Sequence, residues 1–345
     1  MAEQLTSIRD VTQLEELLSE PTPGVVRVLG DLRGDILVLG VGGKMGPTLA
    51  RMAKRASDQA GVTRRVMGLS RFSSSALESK LHSWGIETVR CDLLDPKTLA
   101  TLPDADNVIF MAGMKFGSHG REWTTWAVNT FLPGLIADRY RSSRIAIFST
   151  GNVYGLTPVS RGGSREEDDL NPSGEYAMSC VGRERIFEHF SRANGTKMTI
   201  LRLNYASELR YGVLLDIAQQ VNSGQAVFLS MGYLNTIWQA DASAMSLQAL
   251  AVASSPPNVI NITGRELLSV RAVAKDFGAA LEKNVIFEGR ESSDALLSNA
   301  RKSRELFGPP QIQAGQIIEW IADWVKRNEP TFAKPTHFEE RQGYF

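Results

Sequence analysis

The feature that most constrains this chain lies between Ile36 and Gly46, where it reads ILVLGVGGKMG. The branched apolar residues predict a short buried strand. The glycines at 40, 42, 43 and 46 predict a tight turn, and Thr48, Leu49, Met52 and Ala53 mark one face of a following helix. Glycine has no Cβ, so such a turn lets the backbone come close to a pyrophosphate at the positive end of that helix. A glycine turn alone serves any tight strand-to-helix connection. The strand before it and the helix after it direct the reading to a dinucleotide.

The rest of the chain repeats that local pattern. Apolar runs at 36–40, 65–69, 86–90, 107–112, 144–149 and 198–203 alternate with helical segments. This predicts the α/β class: a Rossmann-type, doubly wound parallel sheet with a smaller C-terminal α/β lobe that forms a substrate cleft. The expected organisation is an N-terminal extension over 1–34, a dinucleotide-binding domain over 35–203 rejoined by about 234–263, a substrate lobe over 204–233 and 264–330, and an extended tail over 331–345. Within the extension, residues 11–18 predict a short helix ended by Pro21 and Pro23. Val25–Leu29 predict a small strand, with turns at Gly30 and Gly34. Helices are expected over Gly212–Ser223, Ser269–Leu281 and Ile317–Lys326, with Trp320 and Trp324 in the core. Strands are expected over Val227–Leu229 and Asn258–Thr263.

Charge and cysteine usage exclude several classes. Lys plus Arg and Asp plus Glu each number 38, so no net field attracts nucleic acid or an anionic membrane surface. Cys91 and Cys180 stand far apart, and His82, His119, His189 and His337 lack ligand spacing; neither a disulfide framework nor a metal site is expected. No apolar stretch approaches a membrane span, and the polar, acidic N-terminus is unlike a secretory signal. The expectation is a soluble cytoplasmic protein with a small-molecule substrate.

Two segments carry chemistry. Ile145–Gly155 (IAIFSTGNVYG) is a buried strand ending in Ser149 and Thr150, and Ser173–Phe190 is a helix with Tyr176 near its start. A hydroxyl at a strand's carboxyl end and a helix-borne tyrosine suit interconversion of a carbonyl and an alcohol. One orients the substrate oxygen, and the other moves its proton while nicotinamide exchanges a hydride.

Over roughly residues 35–330 the chain resembles the extended short-chain dehydrogenases/reductases, the NAD(P)-dependent sugar epimerase/dehydratase family. Gly40, Gly43 and Gly46 match its GxxGxxG loop, so that Gly42, Lys44 and Met45 fall within the cofactor-binding turn. Asp92 and Leu93, after Cys91, match its adenine-side pair. Met111, Ala112 and Gly113 match the small residues of its cofactor channel, and Asn129 its helix asparagine. Thr150 falls on the catalytic Ser/Thr position and Tyr176 on the catalytic tyrosine. Trp238-Gln239-Ala240-Asp241 resembles the segment that returns the chain to the sheet. The resemblance implies a homodimer through helices near 120–140 and 176–192, with Leu132, Leu135 and Ile136 facing Val181, Ile186 and Phe187; ordinary core packing explains these residues equally.

The chain departs from the family at one position. The family's YxxxK motif reads Tyr176-Ala177-Met178-Ser179-Cys180, and the resemblance implies that the lost lysine would have bound the nicotinamide ribose and lowered the tyrosine pKa. With a pKa of about 10, an unaided phenol is ionised in about one molecule per thousand at pH 7. Lys115 and Arg183 are the candidate replacement cations, or else solvated charges. Cys180 is a small apolar filler or a reactive thiol. Strand two ends in Ser70-Arg71, without the acidic residue that holds an NAD ribose, which favours NADP with NAD possible; otherwise Arg71 caps the loop. The run Arg165–Asp169 reads as a solvated loop. Arg202, Arg210, Arg265, Arg271 and Arg290 are open candidates for a nucleotide diphosphate. The expected activity is an NAD(P)-dependent oxidoreductase or epimerase on a sugar, sugar acid or nucleotide sugar, with Thr150, Tyr176, Cys180 and Lys115 at the reacting centre. The alternative is a catalytically weak dinucleotide-binding sensor or partner subunit.

Overall fold

A computed structural model describes residues 5–117 and 120–344. The chain begins with two helices, α1 (Val11–Leu18) and α2 (Pro23–Asp31). The expected strand over Val25–Leu29 is therefore a helix, and Gly30 lies inside it. Thr22 caps the helix by accepting from the Val25 N–H, and Pro23 sits in its first turn, where a missing N–H costs nothing. Val25 and Leu29, four residues apart, are both fully buried. That spacing fits a helix face better than an alternating strand.

The Rossmann part follows as β1 (Ile36–Leu39), α3 (Gly46–Gln59), β2 (Val66–Ser70), α4 (Ser75–Ser83), β3 (Glu87–Arg90), α5 (Pro96–Leu99) and β4 (Asn107–Phe110). Next come α6 (Glu122–Trp126), a π-turn over Ala127–Phe131, α7 (Leu132–Arg139), β5 (Arg144–Thr150), β6 (Thr157–Pro158), α8 (Gly174–Asn194) and β7 (Met198–Leu203). The remaining elements are β8 (Ala206–Ser207), α9 (Val213–Ser223), β9 (Ala226–Phe228), β10 (Tyr233–Leu234), β11 (Ile237–Trp238), α10 (Gln239–Gln248) and β12 (Asn258–Ile262). They continue through β13 (Leu268–Ser269), α11 (Val270–Leu281), β14 (Ile286–Glu288), β15 (Asp294–Ala295), α12 (Arg301–Phe307) and α13 (Ala314–Lys326).

Seven strands form one parallel sheet in the order β12-β7-β5-β4-β1-β2-β3. Strand order reverses between β1 and β4, which opens a crevice at their carboxyl ends. Alternate residues of β1 feed two cores: Ile36 and Val38 pack with α1, α2, α3 and α10, while Leu37 and Leu39 pack with α7 and α8. Trp320 and Trp324 are buried, and the Trp238 and Trp320 rings meet edge to face at 5.4 Å. Gln239 of α10 donates to the Thr48 hydroxyl at 3.2 Å and ties the returning segment to α3.

No helix among the described residues is long and apolar enough to cross a membrane. Leu132, Ile136 and Phe187 lie inside the chain's own core, the last edge to face with Phe110. Exposed apolar side chains on α6, the π-turn and α8 include Trp123, Phe131 and Met178.

Candidate functional site

The glycine turn sits at the mouth of the crevice. Gly40 has φ +88°, and a Cβ there would stand 2.8 Å from the Ala112 amide nitrogen, so glycine lets the β1 turn press against the end of β4. A Cβ at Gly43 would meet only the Gly40 carbonyl, at 3.5 Å, which leaves that surface open. Helix α3 starts at Gly46 with no side-chain cap, so its first N–H groups face the crevice as donors for an anion. These features fit a dinucleotide pyrophosphate, with Gly42, Gly43, Lys44, Met45 and Gly46 as its cradle.

At the end of β2, Ser70 approaches the turn and Arg71 is exposed. The nearest downstream carboxylate, Glu78, is paired with Arg90 at 2.7 Å. Asp92 is exposed and accepts from the Leu94 N–H at 3.0 Å, and Leu93 is buried beneath it. Past β4, Met111, Ala112 and Gly113 lead into a turn clamped by Asn129. The Asn129 Nδ2 donates to the Met114 carbonyl at 2.9 Å and to the Ser179 hydroxyl at 3.0 Å; its Oδ1 accepts from the Met114 N–H at 2.9 Å and from Arg183 at 2.7 Å. The fully buried asparagine thus joins the crevice wall to α8.

Tyr176 and Thr150 meet as the sequence requires. Thr150 closes β5, is 6 % exposed and donates its hydroxyl to Asn152 at 2.9 Å; Tyr176 lies in the first turn of α8, with its phenol beside the Thr150 hydroxyl and the Cys180 thiol. Burial pushes the Tyr176 phenol well above its ordinary pKa, and the neighbouring sulfur adds to that; Arg183 and Thr150 oppose it. Cys180 is fully buried with Val153 and Tyr154, and burial raises its thiol pKa as well. A buried thiol with a raised pKa beside Tyr176 fits the small-filler alternative better than the reactive-thiol one.

Ser149 belongs to a different structure. Its hydroxyl donates to Glu184 at 2.6 Å, and Glu184 forms a buried pair with Arg202 at 2.7 Å. Arg202 also donates to the Tyr154 hydroxyl at 2.7 Å, and that hydroxyl donates to Asn261 at 2.8 Å. This network fastens α8 to β5, β7 and β12 behind the site. It also takes in Glu166, which is half-buried and accepts the Asn261 N–H at 2.7 Å. The run Arg165–Asp169 is therefore not wholly solvated.

The candidate cations divide sharply. Arg183 is 5 % exposed, not a surface charge: it donates to the Phe148 carbonyl at 2.7 Å and to Asn129. A Cβ at Gly113 would stand 2.8 Å from its guanidinium, so that glycine makes room for it. Lys115 reaches the front of the site, with Nζ 5.7 Å from the Tyr176 ring centre and 5.4 Å from that of Phe116. Burial, with Lys44 nearby, lowers its pKa to about 8. Among the remaining arginines, Arg202, Arg210 and Arg271 pair with Glu184, Glu208 and Glu291, while Arg265 and Arg290 are exposed. Among the described residues no group of three His, Cys, Asp or Glu side chains suits a metal ion; His119 lies outside those residues.

Sequence reasoning missed Glu184 and the tail residues Lys334 and His337. An acid eight residues after the tyrosine carries no local sign that it meets Arg202.

Residues 36–231 match the sequence profile described as the NAD dependent epimerase/dehydratase family. No curated protein sequence matches the chain significantly. Solved structures with the same fold include the UDP-glucuronic acid 4-epimerase of Bacillus cereus in complex with UDP-glucuronic acid and NAD, at 18% identity and TM-score 0.71. The UDP-Glc/GlcNAc 4-epimerase of Campylobacter jejuni is 20% identical with TM-score 0.71, and the UDP-glucose 4-epimerase of Thermotoga maritima 17% identical with TM-score 0.70. Each comparison covers 85% of this chain and 99% of the other.

Proposed function

Because this chain belongs to the NAD dependent epimerase/dehydratase family, we propose that it acts on a sugar, sugar acid or nucleotide sugar at a carbonyl or alcohol carbon. The observation that carries the proposal is that Thr150, closing β5, adjoins Tyr176 at the same carboxyl edge of the sheet as the Gly40–Gly46 turn that follows β1. Bound nicotinamide supplies the hydride acceptor or donor. Thr150 orients the reacting oxygen, and Tyr176 holds the proton on its phenol oxygen and delivers it to that oxygen. The raised pKa makes the phenolate rarer still, so the site is ill equipped for proton abstraction, and donation from the phenol needs a nearby cation to stabilise the charge left behind. UDP-sugar complexes of the structural relatives support the sugar class. The exposed Trp123, Phe131 and Met178 support association as a homodimer.

Cofactor choice follows from the end of β2. With Glu78 held by Arg90 and Arg71 exposed, the proposed cofactor is NADP rather than NAD. The test is titration with NAD, NADP and their reduced forms, followed by NADPH oxidation with a panel of keto-sugars. Binding of NADPH and turnover of one panel member are expected; failure to bind any dinucleotide overturns the proposal. Arg71→Ala is expected to weaken NADPH binding by about 10- to 100-fold, the value of a charge-assisted bond, while NADH binding changes little.

Lys115 is the proposed substitute for the missing lysine, its charge stabilising negative charge that develops on Tyr176. With a pKa lowered to about 8, it is charged below that pH and neutral above. Turnover in the reductive direction is therefore expected to fall as pH rises through about 8. In Lys115→Met that inflection disappears and the neutral-pH rate drops about tenfold. An unchanged pH profile in the variant removes Lys115 from this role.

A further inference from the structure

The chain beyond α13 returns to the site. Residues 330–344 run along the carboxyl edge of the sheet as a strap fastened on both sides of the crevice. On the lobe side, the Phe332 N–H donates to the Arg210 carbonyl at 3.0 Å, and Thr336 donates its N–H, at 2.7 Å, and its hydroxyl to Asp216 of α9. Arg341 donates to the Asp294 carboxylate and, at 2.7 Å, to the Ser230 carbonyl. On the Rossmann side, Ser173 donates its hydroxyl to the Gln342 carbonyl at 2.9 Å, and Gly174 abuts Gly343 so closely that a Cβ would collide with it. Ser173 and Gly174 begin the helix that carries Tyr176. Phe338, 2 % exposed, plugs the strap into the core.

Between these anchors the strap meets two lysines grouped around Phe116. The His337 ring lies 6.1 Å from the Phe116 ring, and the same phenylalanine has Lys44 Nζ at 4.8 Å and Lys115 Nζ at 5.4 Å. Lys44 leaves the glycine turn and crosses to the lobe, where its Nζ stands 3.4 Å from the Tyr211 ring centre. Burial, and Lys334 of the strap, lower the Lys44 pKa to about 8. Asp216 and Glu339 are the acids that face this group, and Asp216 already accepts both Thr336 bonds. Three lysines thus converge on one place where two acids stand, one of them already occupied by hydrogen bonds.

Resting on the reading of a sugar-type substrate above, we propose that the strap is the outer wall of the substrate site, and that its Lys334 and His337 join Lys44 to bind an anionic group of the substrate, a carboxylate or a phosphate. The half-buried Lys44, with the exposed Lys334 ammonium and His337 ring of the strap beside it, favours a charged oxygen group over a neutral hydroxyl. It also explains why a lysine occupies the cofactor turn while its ammonium lies against the opposite lobe.

The test is calorimetric titration of the full chain with D-glucuronate, D-glucose, UDP-glucuronate and UDP-glucose, with NADPH titrated separately. Tighter binding of glucuronate than of glucose by about tenfold or more is expected, and Lys44→Met and the double variant Lys334→Ser/His337→Gln each reduce that preference about tenfold. Binding confined to the UDP compounds, and weakened equally by those variants, places the anion on the diphosphate and supports the same site. Equal affinity for acid and neutral sugars in all variants overturns the proposal. So does a Lys44→Met variant that loses only NADPH affinity, because its lysine then serves the cofactor. Loss of the enzyme reading shows separately, as failure of the NADPH titration in the unaltered chain. Point variants are preferred to truncation because Phe338 belongs to the core.

Discussion

Tyr176→Phe is expected to lower kcat by about 10²- to 10⁴-fold, the usual worth of a positioned acid–base group, while leaving cofactor affinity and the fold nearly intact. The ring remains, so the packing of Val153, Tyr154 and Cys180 around it is retained. What is lost is the phenol proton beside Thr150, which the Asn152 N–H, a backbone donor, does not replace as an acid. Arg183 does not replace it, because that guanidinium is held by the Phe148 carbonyl and Asn129 at 2.7 Å each. The measurement is steady-state kinetics alongside NADPH titration and thermal unfolding. A fall in kcat with unchanged cofactor Kd and Tm assigns Tyr176 to proton transfer; equal kcat in the two proteins removes it from the mechanism.

The second large effect is on stability and lies behind the site. Arg202→Met is expected to destabilise the protein by about 3–5 kcal/mol, because it strands the Glu184 carboxylate in the interior without its partner. Glu184 and Arg202 are 5 % and 6 % exposed at their side chains, and Ser149 alone does not offset the desolvation of a carboxylate. Guanidinium unfolding monitored by tryptophan fluorescence reads the loss as a lower midpoint. The double variant Glu184→Leu/Arg202→Met is expected to regain most of it, since removing both charges leaves nothing unpaired. Activity of the single variant should fall as well, because β5 carries Thr150 and α8 carries Tyr176. A single variant as stable as the parent shows that water or another group reaches Glu184.

The sheet was legible because it depends on short-range rules. Six apolar runs became six strands of one sheet, and Asn258–Ile262 became the seventh. The misread Val25–Leu29 segment shows the weakness of that approach. A run of β-branched residues favours a strand by local propensity, yet the Thr22 cap, Pro23 and burial against α3 and α10 make it a helix. The charged residues were the least legible. Arg183, Arg202 and Lys115 carry the same formal charge, and only the partners that distant segments bring to them separate a clamp, a buried ion pair and a site-facing ammonium.

By itself the sequence determined the parallel sheet, the glycine turn between β1 and α3, and the order of Thr150 and then Tyr176 along the chain. Strand periodicity, a positive φ and a helix start are conditions met within a few residues. Only the tertiary structure decided what surrounds Tyr176. Cys180 and Arg183 share its helix, but Lys115, the Phe148 and Asn129 partners that hold Arg183, and the returning strap with Lys334 and His337 come from distant parts of the chain. Their placement follows from how the packed cores exclude water and bring those segments to one edge, which no local pattern encodes.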